Sequence, residues 1–318
     1  MRRTALTLVT AGLLALVACA SAAEPAPAGP AEVGASPASA PQVPGLAVYQ
    51  TRYDVAQTSA RVQDGLRAAG MVTAVVDHAA NAARVGQELR PTTLVIGGAP
   101  PAGTPLMLER QRAAVDLPQK YLTWRAEDGT VYLAHNSAEY VAARAGIPAD
   151  SPALGALRSG SARISAAATG SAQPLSTGAD VSAVTADGYL VERTGNASVL
   201  ESIARYRQAF ADRGLMPVAT VDHAMGAASI TMQLRPTQVT FVGNPAVGTP
   251  LLQASQTIGI DLPLRYLAWE DDAGTVRVAY PDIRALAQRH GVTGADEALT
   301  MIEKATASFT ATAAGAPG

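Results

Sequence analysis

The chain has 318 residues, 48% of them hydrophobic, with 24 Lys and Arg against 26 Asp and Glu for a net charge of −2. Its length and apolar share suit two ordinary domains, and with Lys120 and Lys304 as its two lysines it lacks the clustered basic face of a nucleic-acid binder. A single cysteine excludes a disulfide framework, so packed cores must carry the stability.

At the N-terminus, Arg2 and Arg3 precede an apolar run from Ala5 to Val17 that is shorter than a membrane span, so residues 1–18 read as a signal peptide. The run ends in Leu16-Val17-Ala18-Cys19, which resembles the lipobox of bacterial lipoproteins and implies acylation of Cys19. Cleavage at Ala20-Ser21-Ala22, giving a soluble exported protein, is the alternative. Residues 19–45 are Ala, Pro, Ser and Gly with few large apolar side chains and are expected as a disordered tether.

A first module is placed at 46–170. Leu46 to Thr51 reads as a strand, and Val55, Val62, Leu66 and Ala69 have helical spacing ended by Gly70. The β-branched run Met71 to Val76 is expected as a buried strand, Ala79 to Val85 as a short helix, and Thr92 to Ile96 as a further strand. Thr104-Pro105 fits a helix start, with Thr as cap and Pro at the first position. Tyr121 to Trp124 and Val131 to Leu133 flank Asp128-Gly129 as a hairpin. Helices follow at Ala138 to Ala145 and around Leu154, Leu157 and Ile164.

Residues 171–185 read as a flexible linker to a second module at 186–315. This module repeats the first at an offset of 145: Val76-Asp77-His78-Ala79 returns as Val221-Asp222-His223-Ala224 and Leu89-Arg90-Pro91-Thr92 as Leu234-Arg235-Pro236-Thr237. Gly103-Thr104-Pro105-Leu106 returns as Gly248-Thr249-Pro250-Leu251, and Asp116-Leu117-Pro118 as Asp261-Leu262-Pro263. From Asp77 to His135, 26 of 59 positions are identical without a gap, which fixes the register of one duplicated unit. The expected fold class is α+β: two homologous modules, each a mixed or antiparallel sheet with helices on one face.

These spaced motifs, with Gly243-Asn244-Pro245 in the second module and Gly98-Ala99-Pro100 in the first, resemble the bacterial family known as domain of unknown function 302. The resemblance implies a compact α+β domain that pairs with a second copy, and no established reaction. Here it suggests an intramolecular pseudo-dimer.

The repeated polar residues singled out as site candidates are Asp77 and Asp222, His78 and His223, Arg90 and Arg235, and Asp116 and Asp261. Histidine with carboxylates and an arginine in reach suits an anion site or general acid and base work. The structural alternative is that Asp77 or His78 caps the following helix, Arg90 pairs with a carboxylate, and Asp116 caps a loop. The glycine-rich loop from Gly97 to Thr104 lacks the lysine and spacing of a phosphate cradle, and two recurring histidines fall short of a structural zinc site. No metal or cofactor is expected. The functional expectation is a cell-envelope lipoprotein, held to a membrane on its periplasmic face by a lipid anchor. It is expected to bind a small ligand or envelope protein without catalysis. An enzyme and a purely structural interaction protein are the alternatives. Ala20 after the cysteine points, by analogy with other lipoproteins, to an outer membrane where the cell has two.

Overall fold

Local signals set the first half of each module. In the computed structural model, which describes residues 40–315, strand β1 (Leu46–Thr51) leads into α1 (Val55–Ala69), whose N-terminus is closed by a capping box between Asp54 and Gln57. Strand β2 (Met71–Asp77) runs directly into α2 (His78–Arg84), and β3 (Thr92–Gly98) into α3 (Pro100–Glu109) and a 3-10 turn at Gln111–Asp116. The hairpin of β4 (Gln119–Arg125) and β5 (Val131–Asn136) turns at Gly129, whose φ of 86° is the left-handed conformation glycine accepts. Helices α4 (Ala138–Ala145) and α5 (Leu154–Thr169) complete the module. The expected signal peptide, Cys19 and nearly all of the tether lie outside the described residues.

The second module repeats the series as β7 (Leu190–Thr194), α6 (Val199–Ala211), β8 (Ala219–Asp222), α7 (His223–Ala228), β9 (Thr237–Val242) and α8 (Pro245–Ala254). A 3-10 turn at Gln256–Ile260, β10 (Leu264–Glu270), β11 (Val276–Pro281), α9 (Ile283–Arg289) and α10 (Asp296–Ala314) follow. A two-residue strand, β6 (Ser176–Thr177), lies between the modules in sequence. The sheets run β2-β3-β4-β5-β1-β6 and β8-β9-β10-β11-β7, with every paired neighbour antiparallel. The fold is α+β, built from two similar modules.

Alternation along β4 sends its side chains to two destinations. Tyr121 joins Val62, Leu66, Val95, Leu133 and Ile164 under α1 and α5. Leu122 and Trp124 face the other way, into a cluster with Leu94, Ile96 and Tyr132 that continues into the second module. Tyr121 and Trp124 therefore do separate one to the module's own helices and one toward the partner module. Each fully buried Leu or Val in these clusters is worth roughly 1.5–3 kcal/mol. Gly259 makes the close approach between modules possible: a Cβ there would lie 3.0 Å from both Leu122 Cδ1 and Leu252 Cδ2.

Three expectations change. The run Met71 to Val76 is an edge strand, paired with β3 alone, and Val76 is its one buried residue. Its β-branched composition signals strand but says nothing of position in the sheet. Helix α3 starts at Pro100, so Thr104 and Pro105 lie inside it, and α8 likewise starts at Pro245 behind an Asn244 cap. The earlier prolines already satisfy the first-turn preference. The linking segment, flexible by composition, is docked: Leu175 N donates to Val48 O at 2.7 Å, Gly45 N to Asp180 O at 3.0 Å, and Ser137 Oγ to Gly178 O at 2.8 Å. Backbone groups hold it, and composition does not report them.

Candidate functional site

The repeated polar residues separate into three places. Asp77 and Asp222 are helix caps: Asp77 Oδ1 accepts from Ala80 N at 2.8 Å, and Asp222 Oδ1 from Met225 N at 2.9 Å. His78 and His223, one residue on, are buried where the modules meet. His78 Nε2 lies 3.3 Å from Gly259 O, whereas His223 Nε2 is buried with no hydrogen-bond partner. Burial pushes both imidazoles down to about 4, against a partial opposing pull from backbone carbonyls, so they are neutral at pH 7.

Arg90 and Arg235 sit in a reciprocal exchange between modules. Arg90 Nε donates to Gln256 Oε1 at 3.1 Å, and Gln256 Nε2 to Thr92 Oγ1 at 2.8 Å. The mirror set runs from Arg235 Nη2 to Gln111 Oε1 at 3.0 Å and from Gln111 Nε2 to Thr237 Oγ1 at 2.7 Å. Arg90 thus meets an amide instead of the expected carboxylate, while Arg235 also pairs with the exposed Asp272. Gln111 and Gln256 are identical at the repeat offset, as are Arg144 and Arg289, and both pairs belong with the repeated polar residues although the candidate set omits them.

Asp116 and Asp261 cap no loop. They anchor a buried network that crosses the modules. Asp116 Oδ1 meets Lys120 Nζ at 3.4 Å and Arg265 Nη2 at 3.3 Å, and both its oxygens accept from the Tyr189 hydroxyl, at 3.0 and 3.1 Å. Asp261 holds Arg265 Nη1 at 2.8 Å, Arg289 Nη1 at 3.0 Å and His290 Nε2 at 2.9 Å. Arg289 then bonds Asn136 Oδ1 and Pro44 O in the first module, at 2.8 and 3.0 Å. Burial alone would raise Asp261, but Arg265, His290 and Arg289 hold it well below the usual carboxylate range. Burial, then Arg265, lowers Lys120 to about 8. With Asp116 1% and Asp261 0% exposed, this network offers no carboxylate to solvent.

No hydrogen bond or ion pair among the described residues joins His78, Arg90 and Asp116, so the sequence motif is a set of three inter-module fastenings. Among the described residues, no three His, Cys, Asp or Glu are grouped to hold a metal ion.

A cavity of about 310 Å³ lies instead against the second module, where Leu252 of α8, Leu264 and Tyr266 of β10, and Ile302 and Phe309 of α10 form an apolar wall. Val76, His78 and Asn81 of the first module and Arg213 after α6 also line it. None of these except His78 belongs to the repeated set. In the first module, the position matching Leu264 holds Gln119, whose amide donates to Asn136 O at 2.9 Å and Ser161 Oγ at 3.1 Å.

A family model described as Domain of unknown function DUF302 matches residues 48–164 and again residues 191–309. The chain belongs to this family. Curated relatives named "Fluoride-specific ion channel FluC 1" occur in Brucella suis biovar 1 (strain 1330) and Brucella abortus biovar 1 (strain 9-941). Each is 39% identical over 130 residues, which is 41% of this chain and 51% and 48% of the respective relatives. The chain therefore spans about half the length of the curated relatives it matches. Among solved structures, the crystal structure of uncharacterized conserved protein DUF302 from Bacillus stearothermophilus is 16% identical with a TM-score of 0.37, covering 40% of this chain and 98% of that one.

Proposed function

We propose that this tandem DUF302 protein is a non-catalytic receptor whose second module takes up a small, predominantly apolar molecule. The observation that carries this reading is the cavity of about 310 Å³ walled by Leu252, Leu264, Ile302 and Phe309, at the lower end of the roughly 300–1,000 Å³ typical of small-molecule sites. The first module completes the rim through Val76, His78 and Asn81, and the reciprocal Arg, Gln and Thr bonds support treating the two modules as an intramolecular pseudo-dimer. The lipobox-like sequence before Cys19 supports export and anchoring at the cell envelope, which would put the receptor at a membrane surface.

The enzyme alternative has less support. His78 touches the cavity but is engaged with Gly259 O and stays uncharged near neutral pH, and Asp116 and Asp261 are locked in ion pairs away from solvent. The Brucella relatives' name offers ion conduction as a further reading. Among the described residues no helix is long and apolar enough to cross a membrane, and only 41% of the chain takes part in that match.

Titration with the neutral fluorophore N-phenyl-1-naphthylamine tests the receptor reading. Emission should rise on binding to the full chain and fail to rise with Leu264→Gln, which imports the first module's own filling side chain. Failure of the wild type to bind the fluorophore, or equal binding by a folded Leu264→Gln variant, would sink it.

A further inference from the structure

We infer that the ligand of this cavity is a medium-length alkyl monocarboxylate, held at the mouth by Arg213; the inference rests on the receptor reading above. Arg213 is the one residue charged at neutral pH in the lining, since no Asp, Glu or Lys contributes and His78 is neutral. Its guanidinium sits 4.9 Å from the centroid of the Phe309 ring, a cavity wall, and Nη2 donates to Ser308 Oγ at 3.0 Å. No ion pair to a carboxylate is formed by Arg213 among the described residues, and Nη1 and Nε have no protein acceptor there.

The position is fixed by the chain. Arg213 N donates to Phe210 O at 3.0 Å, so the residue closes the last turn of α6 beside the α10 wall. The first module has Ala69 at the equivalent place, so the charge belongs to the module with the cavity. Two further polar groups at the rim are occupied: Asn244 Oδ1 caps α8 by accepting from Ala246 N at 3.0 Å, and Asn81 Oδ1 accepts from Arg84 at 3.0 Å.

A single uncompensated guanidinium at the exposed mouth of an apolar cavity selects a monoanion. Its planar fork matches a carboxylate, and one cation with no second Lys or Arg is too little for a phosphate dianion. Behind the head group, Leu215, Leu252, Leu264, Met301 and Ile302 are aliphatic, which suits an alkyl chain.

The test is displacement of N-phenyl-1-naphthylamine from the full chain by octanoate and by 1-octanol, which share the alkyl chain and differ in charge. In the wild type octanoate should compete better than octanol. In Arg213→Gln octanoate should weaken by about tenfold, the scale of one charge-assisted hydrogen bond, while octanol is unchanged. Arg213→Lys should recover part of the loss, since charge survives and the fork does not. Arg213 is exposed, so neither variant threatens the fold. If octanoate and octanol displace the fluorophore equally, or octanoate is indifferent to Arg213→Gln, the carboxylate inference fails and the cavity reading stands. If neither displaces it, both fail.

Discussion

Gln119 and Leu264 occupy the same strand position in the two modules, and they leave the space beneath the sheet in opposite states. In the first module the Gln119 amide reaches Ser161 of α5 and Asn136 O and ties that corner together. In the second, Leu264 has no hydrogen bond to offer and becomes a wall of the cavity. A duplicated framework can thus keep its strands and caps while one copy is filled and the other stays open.

The ion network sharpens the comparison, because the two repeated aspartates carry unequal loads. Asp261 meets two arginines and a histidine, Asp116 a lysine, a tyrosine and the shared Arg265. Asp261→Asn should cost about 3–5 kcal/mol in denaturant unfolding, the range for breaking a buried pair while its partners stay buried. Asp116→Asn should fall at the lower end, since its ion pairs are longer, at 3.3 and 3.4 Å. Equal losses would mean that the network is a symmetric unit and that the second module has no special share in it.

This asymmetry also explains which parts of the molecule were legible in the sequence. The 145-residue offset gives the register from the end of β2 onward, because framework residues such as Asp77, Leu117 and Gly129 recur with their turns and caps, while β1 and α1 match β7 and α6 at 144. The rule that finds the frame is blind to the cavity, which depends on positions where the copies differ: Leu264 against Gln119, Phe309 against Ile164, Arg213 against Ala69. The network is legible only in part. Asp261 and Arg289 recur as Asp116 and Arg144, but Tyr189 matches Gly45 and His290 matches Ala145, so no repeated identity points to these two. Arg265 matches Lys120, a conservative pair that an identity criterion discards.

The reciprocal glutamines provide the next test. Gln111→Ala removes the partners of Arg235 and Thr237, and Gln256→Ala those of Arg90 and Thr92. Each should cost about 1–3 kcal/mol, the net worth of the two side-chain hydrogen bonds it removes. The Gln111 variant should lose less, because Arg235 keeps Asp272 and the Glu270 carbonyl. Thermal unfolding of both single variants would check the ranking.

Acid should act through the histidines. His78, His135 and His223 are each lowered to about 4 in the folded chain by burial, below the ordinary value of about 6.5. Between those values the unfolded chain binds more protons, so stability is full above pH 6.5 and falls as pH drops toward 4. Each contributes about 1–2 kcal/mol of loss by pH 5. His78→Gln or His223→Gln should flatten the profile of denaturation midpoint against pH by one histidine's share. A profile that stays unchanged in both variants would show that these imidazoles do not titrate on unfolding.

The helix caps carry the smallest effect and separate the modules again. Asp77 serves α2 with one acceptor bond to Ala80 N, so Asp77→Ala should cost about 1 kcal/mol, the usual value of a lost N-cap. Asp222 uses Oδ1 for Met225 N and Oδ2 for the Gln238 amide at 2.8 Å, tying α7 to β9 as well. Asp222→Ala should therefore lose more than Asp77→Ala, by about the 0.5–1.5 kcal/mol net worth of a second hydrogen bond. Asp222→Asn keeps an acceptor for the cap and should recover part of the loss, because asparagine caps nearly as well. If Asp77→Ala were as costly as Asp222→Ala in denaturant unfolding, the bond to Gln238 would contribute nothing, and the two caps would be equivalent despite their different surroundings.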